Sequence, residues 1–142
     1  MRVRPTKRVH HRIVLKEVGE PLTEYRSSLE MIIIVYDALM GHNEAYEKAG
    51  ILHRDVSVNN ILINIDPPKD QRTGFLVDWD LCKSKDCLNN KATHTECSGT
   101  RPFLSALLLQ YPWKQHELSD DLESFVHVLT WLAARFHRHQ FT

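Results

Sequence analysis

Glycine is scarce here, with 5 in 142 residues, and cysteine is scarcer, with 3. No stretch gathers the glycines that would cradle a phosphate, so a glycine-rich nucleotide loop is excluded from this chain. Cys82, Cys87 and Cys97 are odd in number, which argues against a disulfide framework and for free thiols. Long apolar runs are missing as well. The longest, Met31 to Tyr36, is about a third of what a membrane helix needs. No apolar segment of the secretory type opens the chain. Together these absences point to an intracellular protein with no membrane partner. Net charge is also lacking: 18 basic residues balance 18 acidic ones, so nothing favours a nucleic-acid partner.

What is present is the composition of one folded domain, 42% apolar and 25% charged. There is no internal repeat and no low-complexity segment. Arg2, Arg4, Lys7, Arg8 and Arg12 crowd residues 1–12 without an acid among them. Such a run is either a phosphate- or membrane-seeking arm or a solvated, frayed terminus.

Local patterns predict the elements. Ile13 to Lys16 reads as a short strand, and Glu17 to Pro21, with Gly19 and Pro21, as a turn or hinge. Ser27-x-x-Glu30 is a capping-box pattern opening a helix that runs to Ala49, with Gly50 as its terminator. Leu29, Ile32, Ile33, Tyr36 and Met40 share one face of that helix and are the expected buried side. Gly41 weakens its middle. Ile61 to Ile65 and Phe75 to Val77 read as a hairpin whose connection, Asp66 to Gly74, must turn. Trp79 to Ser98 reads as a long irregular loop. A last helix starts at Ser119, with Asp120, Asp121 and Glu123 favouring its dipole. Its expected buried face is Leu122, Phe125, Val126, Leu129, Ala133 and Phe136.

Four motifs follow one another along this frame. His53-Arg54-Asp55, with Asn60 five residues after the aspartate, fits the catalytic-loop pattern of kinases. The chemistry explains the residue types. A carboxylate, Asp55, must orient a hydroxyl and accept its proton, and a neutral amide, Asn60, must hold Mg²⁺ against phosphates. Val77-Asp78-Trp79-Asp80-Leu81 follows at the place of the second metal loop, 23 residues from Asp55 to Asp78. The hairpin between them would return Asp78 beside Asn60, giving two oxygen ligands of the kind Mg²⁺ takes. Gly99-Thr100-Arg101-Pro102-Phe103-Leu104-Ser105 and Asp120-Asp121-Leu122-Glu123-Ser124 complete the order.

With Arg8 to Arg12, Val18 to Leu22 and Gly50 to Ser57 added, the chain resembles the fungal-type protein kinase family over roughly residues 8 to 136. The resemblance implies an α+β, protein-kinase-like fold. It would be mostly the helical C-terminal lobe with a catalytic β-hairpin, the N-terminal lobe largely absent, so that residues 1–142 form a partial kinase domain. It implies an ATP-dependent kinase acting on Ser or Thr of a protein substrate, with Mg²⁺. Asp55, Asn60, Asp78 and Thr100 would be the catalytic residues, Asn60 and Asp78 the metal ligands, and the Thr100 hydroxyl a partner of Asp55. Glu17, Val18 and Gly19 would be the hinge that meets adenine through its backbone. Asp121 would pin the catalytic-loop backbone. Ser57 stands where kinases carry a lysine, Asp80 where they carry a glycine, and Leu107 where a glutamate makes a buried ion pair. The face uncovered by the missing parts should be apolar and favour association.

Two other readings stay open. One is a small-molecule phosphotransferase of the choline or aminoglycoside type, against which Arg54 and the Gly99 to Phe103 segment argue. The other is a non-catalytic fragment or scaffold. Cys82, Cys87, His94 and Cys97 match no standard zinc spacing. Ser84, Thr93, Thr95 and Ser98 are candidate phosphosites or plain loop hydroxyls. Of the nine histidines, only His53 is expected to have a positional role.

Overall fold

The computed structural model describes residues 18–65, 71–85 and 98–136. The basic arm, the strand expected over Ile13 to Lys16, Glu17 and most of the cysteine-bearing loop lie outside them. Helix and small antiparallel sheets mix in an α+β arrangement.

The β-branched run forms β3, Ile61–Asn64, with Ile61 and Ile63 facing the core. It pairs antiparallel with β4, Thr73–Leu76, Ile61 opposite Leu76. On its other edge lies β1, Gly19–Pro21, with Gly19 opposite Asn64 and Pro21 opposite Leu62. The segment expected to turn around Gly19 is therefore a strand. An edge strand tolerates proline, and a Cβ at Gly19 would stand 2.7 Å from that of Leu62. Gly74 likewise belongs to a strand and not to the connection. Its absent side chain admits the helix above it, since a Cβ there would lie 1.9 Å from the Ile34 carbonyl oxygen.

That helix, α1, spans Ser28–Ala49 without a break at Gly41. The Ser27 hydroxyl accepts the Glu30 amide, and the Glu30 carboxylate reaches back to the Arg26 amide, one residue earlier than a standard capping box. Gly50 ends the helix in the left-handed conformation, φ 64°. Its buried face is Met31, Ile34, Val35, Ala38 and His42; the predicted face, Leu29 to Met40, is exposed. The Met31 to Tyr36 run is apolar all round, so periodicity alone could not choose the side. The sheet chose it. Asp37 accepts the Gly74 amide and Ile34 lies over Gly74.

Beyond the hairpin, Trp79–Leu81 form a 3-10 turn, and β5, Lys83–Ser84, pairs with β2, Ile51–Leu52. The start of the expected loop is thus ordered. A 3-10 turn over Arg101–Phe103 leads to α2, Ala106–Gln110, capped by the Ser105 hydroxyl. The last helix, α3, runs Leu118–Phe136. It buries Asp120, Asp121, Ser124, Phe125, Val128 and Leu132. Of the predicted face only Phe125 is buried and Leu129 partly so, while Leu122, Val126 and Phe136 are exposed. The helix is turned so that its carboxylates, and not its apolar stripe, face the loop after β2.

Candidate active site

The loop from His53 to Asn60 sits between β2 and β3 and is held from below by one carboxylate. Asp121, fully buried at the start of α3, accepts the His53 and Arg54 amides at 2.9 and 3.0 Å. Each of its oxygens takes a further hydrogen from an imidazole: Nε2 of His42 and Nε2 of His116, both at 2.8 Å. Burial alone would raise the Asp121 pKa, but hydrogen bonds from His116 and His42 outweigh it and hold the carboxyl well below its usual range. Arg54 adopts a left-handed backbone, φ 71°, and its guanidinium donates to the Leu81 carbonyl at 3.1 Å. Such a conformation costs a non-glycine residue about 1–3 kcal/mol and persists where surroundings over-determine it. Asp121 and Leu81 are those surroundings.

His53 is fully buried. Its Nε2 donates to the Val77 carbonyl at 3.0 Å and its Nδ1 accepts the Asp55 amide at 3.3 Å. Those partners fix the neutral Nε2–H tautomer. Burial lowers its pKa further than the Val77 carbonyl and the Asp121 and Asp55 carboxylates raise it. The ring packs edge-on against Trp79 at 4.6 Å. His53 therefore joins the two motif loops and carries no mobile proton.

Asp55 is the point of convergence. Its Oδ1 accepts both the Thr100 amide and the Thr100 hydroxyl, each at 2.7 Å. The Asn60 Nδ2 donates to the Asp55 carbonyl at 2.8 Å and to Oδ2 at 3.3 Å. The carboxylate is thus fixed from both sides by residues 45 and 5 positions away. Gly99 allows this approach. Its φ is 126°, and a Cβ there would lie 2.9 Å from the Arg54 carbonyl.

With its nitrogen engaged, Asn60 has its side-chain oxygen left as an acceptor. The Val77 amide donates to the Asn60 carbonyl at 2.8 Å, so Asp78 follows directly after the residue paired with Asn60. Asp78 is exposed and, like Arg54, left-handed, with φ 62°. The positive φ therefore falls on Asp78, while Asp80 sits in the 3-10 turn after it. Asn60 and Asp78 are the oxygen donors that could hold a divalent metal. Among the described residues no group of three or more His, Cys, Asp or Glu gathers around a metal position.

Ser57 is buried and its hydroxyl has no hydrogen-bond partner among the described residues, so it brings no charge to the site. Leu107 is half exposed. A part-buried ion pair nearby joins Lys114 to Asp120 at 2.7 Å, with the Ser105 hydroxyl donating to the same carboxylate. Burial alone would raise the Asp120 pKa, but the bonds from Lys114 and Ser105 lower it. Val18 is exposed, and Gly19 pairs with Asn64, four residues along β3 from Asn60 or about 13 Å. Glu17 lies outside the described residues, as do Cys87, His94, Cys97, Thr93 and Thr95. Cys82 is a free thiol, and the Ser98 hydroxyl is buried.

Sequence reasoning missed His42 and His116. His42 was legible in principle, since Met31, Val35, Ala38 and His42 make a stripe of helical spacing; a histidine continuing a buried stripe needs a buried acceptor. The family described as fungal protein kinase matches residues 1–133. Among curated proteins nothing matches.

Proposed function

The chain belongs to the fungal protein kinase family, and on that premise we propose that its fold is protein-kinase-like and that it transfers the γ-phosphoryl group of ATP to Ser or Thr hydroxyls of a protein. The observation that carries the reading is the fixed Asp55 carboxylate, tied through Oδ1 to Thr100 and through Oδ2 to Asn60. A base held this way keeps lone pairs for a substrate hydroxyl. The substrate oxygen bonds to the γ-phosphorus as the bond to the β–γ bridging oxygen breaks. ADP leaves, and the hydroxyl proton passes to Asp55.

The donors fit Mg²⁺. An amide oxygen from Asn60 and a carboxylate from Asp78 are hard ligands, and Mg²⁺ keeps its other positions for water and phosphate oxygens. When bound, the ion neutralises charge on the phosphates. Backbone groups of Val18 and Gly19 would meet the adenine. Ser57, being buried and neutral, lends no cation to the transferring group, so the transfer is expected to be slow.

The test is phosphotransfer from labelled ATP to serine, threonine and tyrosine peptides and to small alcohols such as choline. Asp55→Asn should lower the rate about 10²–10⁴-fold. An Asp55→Asn rate equal to wild type would contradict the assignment. Product confined to the small alcohol would favour the small-molecule phosphotransferase.

A further inference from the structure

The two long helices lie side by side and antiparallel. Tyr25, just before α1, meets Phe136 at the end of α3, ring centres 6.2 Å apart. His42, late in α1, meets Asp121 and Phe125, early in α3. Each helix carries a second apolar stripe that the core does not use. On α1 it is Leu29, Ile32, Ile33, Tyr36 and Met40, between 42% and 67% exposed. On α3 it is Leu122 and Val126, 43% and 59% exposed. At about 100° per residue, Leu39 is the α1 side chain turned towards α3, and Ile32 and Tyr36 come next round the helix. On α3, Phe125 and Leu129 turn towards α1, and Leu122 and Val126 come next. The stripes therefore adjoin across the seam and make one continuous exposed apolar platform, the kind of patch that marks an interaction site.

We propose that this platform binds a second copy of the same chain, in a two-fold arrangement with α1 antiparallel to the partner's α1. Charge complementarity selects that occupant. Leu29, Tyr36, Met40 and Glu47 lie along one line of the helix, at spacings of 7, 4 and 7 residues. Arg26 stands exposed at the amino end of that line and Glu47 stands exposed at the carboxyl end. Neither makes an ion pair among the described residues. A two-fold axis beside Tyr36 brings Arg26 of each copy to Glu47 of the other. The same register sets Ile33 against the partner's Met40 and opposes the two helix dipoles. Stacking two antiparallel pairs gives a four-helix packing.

The experiment is sedimentation velocity on the full chain, with circular dichroism to verify that each variant folds. A monomer–dimer equilibrium is expected. Ile33→Glu, at an exposed position, should raise the dimer dissociation constant about 100-fold. Arg26→Glu should raise it about fivefold, and adding Glu47→Arg should restore it. Tyr36→Cys should give a disulfide-linked dimer on oxidation, beyond any formed by wild type. A chain that stays monomeric up to about 100 μM overturns the proposal. So does association that Ile33→Glu leaves unchanged, or a charge reversal that fails to rescue. Cross-links from position 36 to the chain's own residues after Phe136 would assign the platform to that segment and overturn it equally.

Discussion

Replacing Asp121 by alanine strips an acceptor from two backbone amides and two buried imidazoles at once. Breaking a buried network of this kind costs about 3–5 kcal/mol. Urea unfolding should show that loss, and hydrogen exchange should show the His53 and Arg54 amides losing protection together. Thr100→Val isolates a finer point, because it removes the hydroxyl from Asp55 and keeps the amide. A hydrogen bond to a charged group is worth about 1.5–3 kcal/mol. We therefore expect phosphotransfer about 10–100-fold slower, with the melting temperature lowered by the loss of the same bond. Asp121 and Thr100 were legible in the sequence because a motif gave each a position. His116 was not, since its burial depends on Asp121 five residues on, and of His42 only the stripe it continues was readable, not its partner 79 residues away. The hydroxyl of Ser57 could not be placed either. The sequence showed a missing charge, and only the fold shows that the replacement faces inward.

At the scale of elements, two glycines make opposite predictions. Gly74→Ala drives a methyl into the Ile34 carbonyl of α1 and should cost about 3 kcal/mol, the upper end for overpacking against backbone. Gly41→Ala meets nothing within 4 Å and should stabilise α1 by about 0.8–1 kcal/mol. Paired urea titrations of the two variants check both signs. The existence of the hairpin and both long helices was legible, because a β-branched run, a serine cap and Gly50 are local signals. Which side of each helix faces inward was not. α1 is apolar on two faces, and α3 shares its inner face between Phe125, Val128 and Leu132 and the carboxylates of Asp120 and Asp121, which serve α2 and the loop. The short strands β1, β2 and β5 escaped for a similar reason: strands of two or three residues carry no periodicity and exist only through their partners.

At the scale of the molecule, the buried groups set a pH profile. His53 has a lowered pKa, so its unfolded form takes up a proton first. Its contribution to stability is present above about pH 6.5 and is lost as the pH falls below that. Asp121 and Asp120 are also lowered. As carboxylates, they contribute fully above about pH 5 and lose that contribution as the pH falls through and below the usual carboxylate range. Stability by urea unfolding should therefore fall in two steps on acidification. A profile flat from pH 7 to pH 3 would contradict the buried geometry. The α+β arrangement and the convergence of Asp55, Asn60 and Thr100 could be anticipated, because motif order fixes which loops must meet. That an apolar face would stand exposed could be anticipated too, but not its place across α1 and α3, which needs the packed angle between two helices.

Asn60 and Asp78 are proposed to build a metal–nucleotide site beside the fixed Asp55. The most direct test is calorimetry of Mg²⁺–ATP binding to the 142-residue chain, with Asp78→Ala alongside. Saturable binding to the native chain, lost in Asp78→Ala while the fold is kept, is the expected result. A folded chain that binds no Mg²⁺–ATP, or binds it equally well without the Asp78 carboxylate, would contradict it.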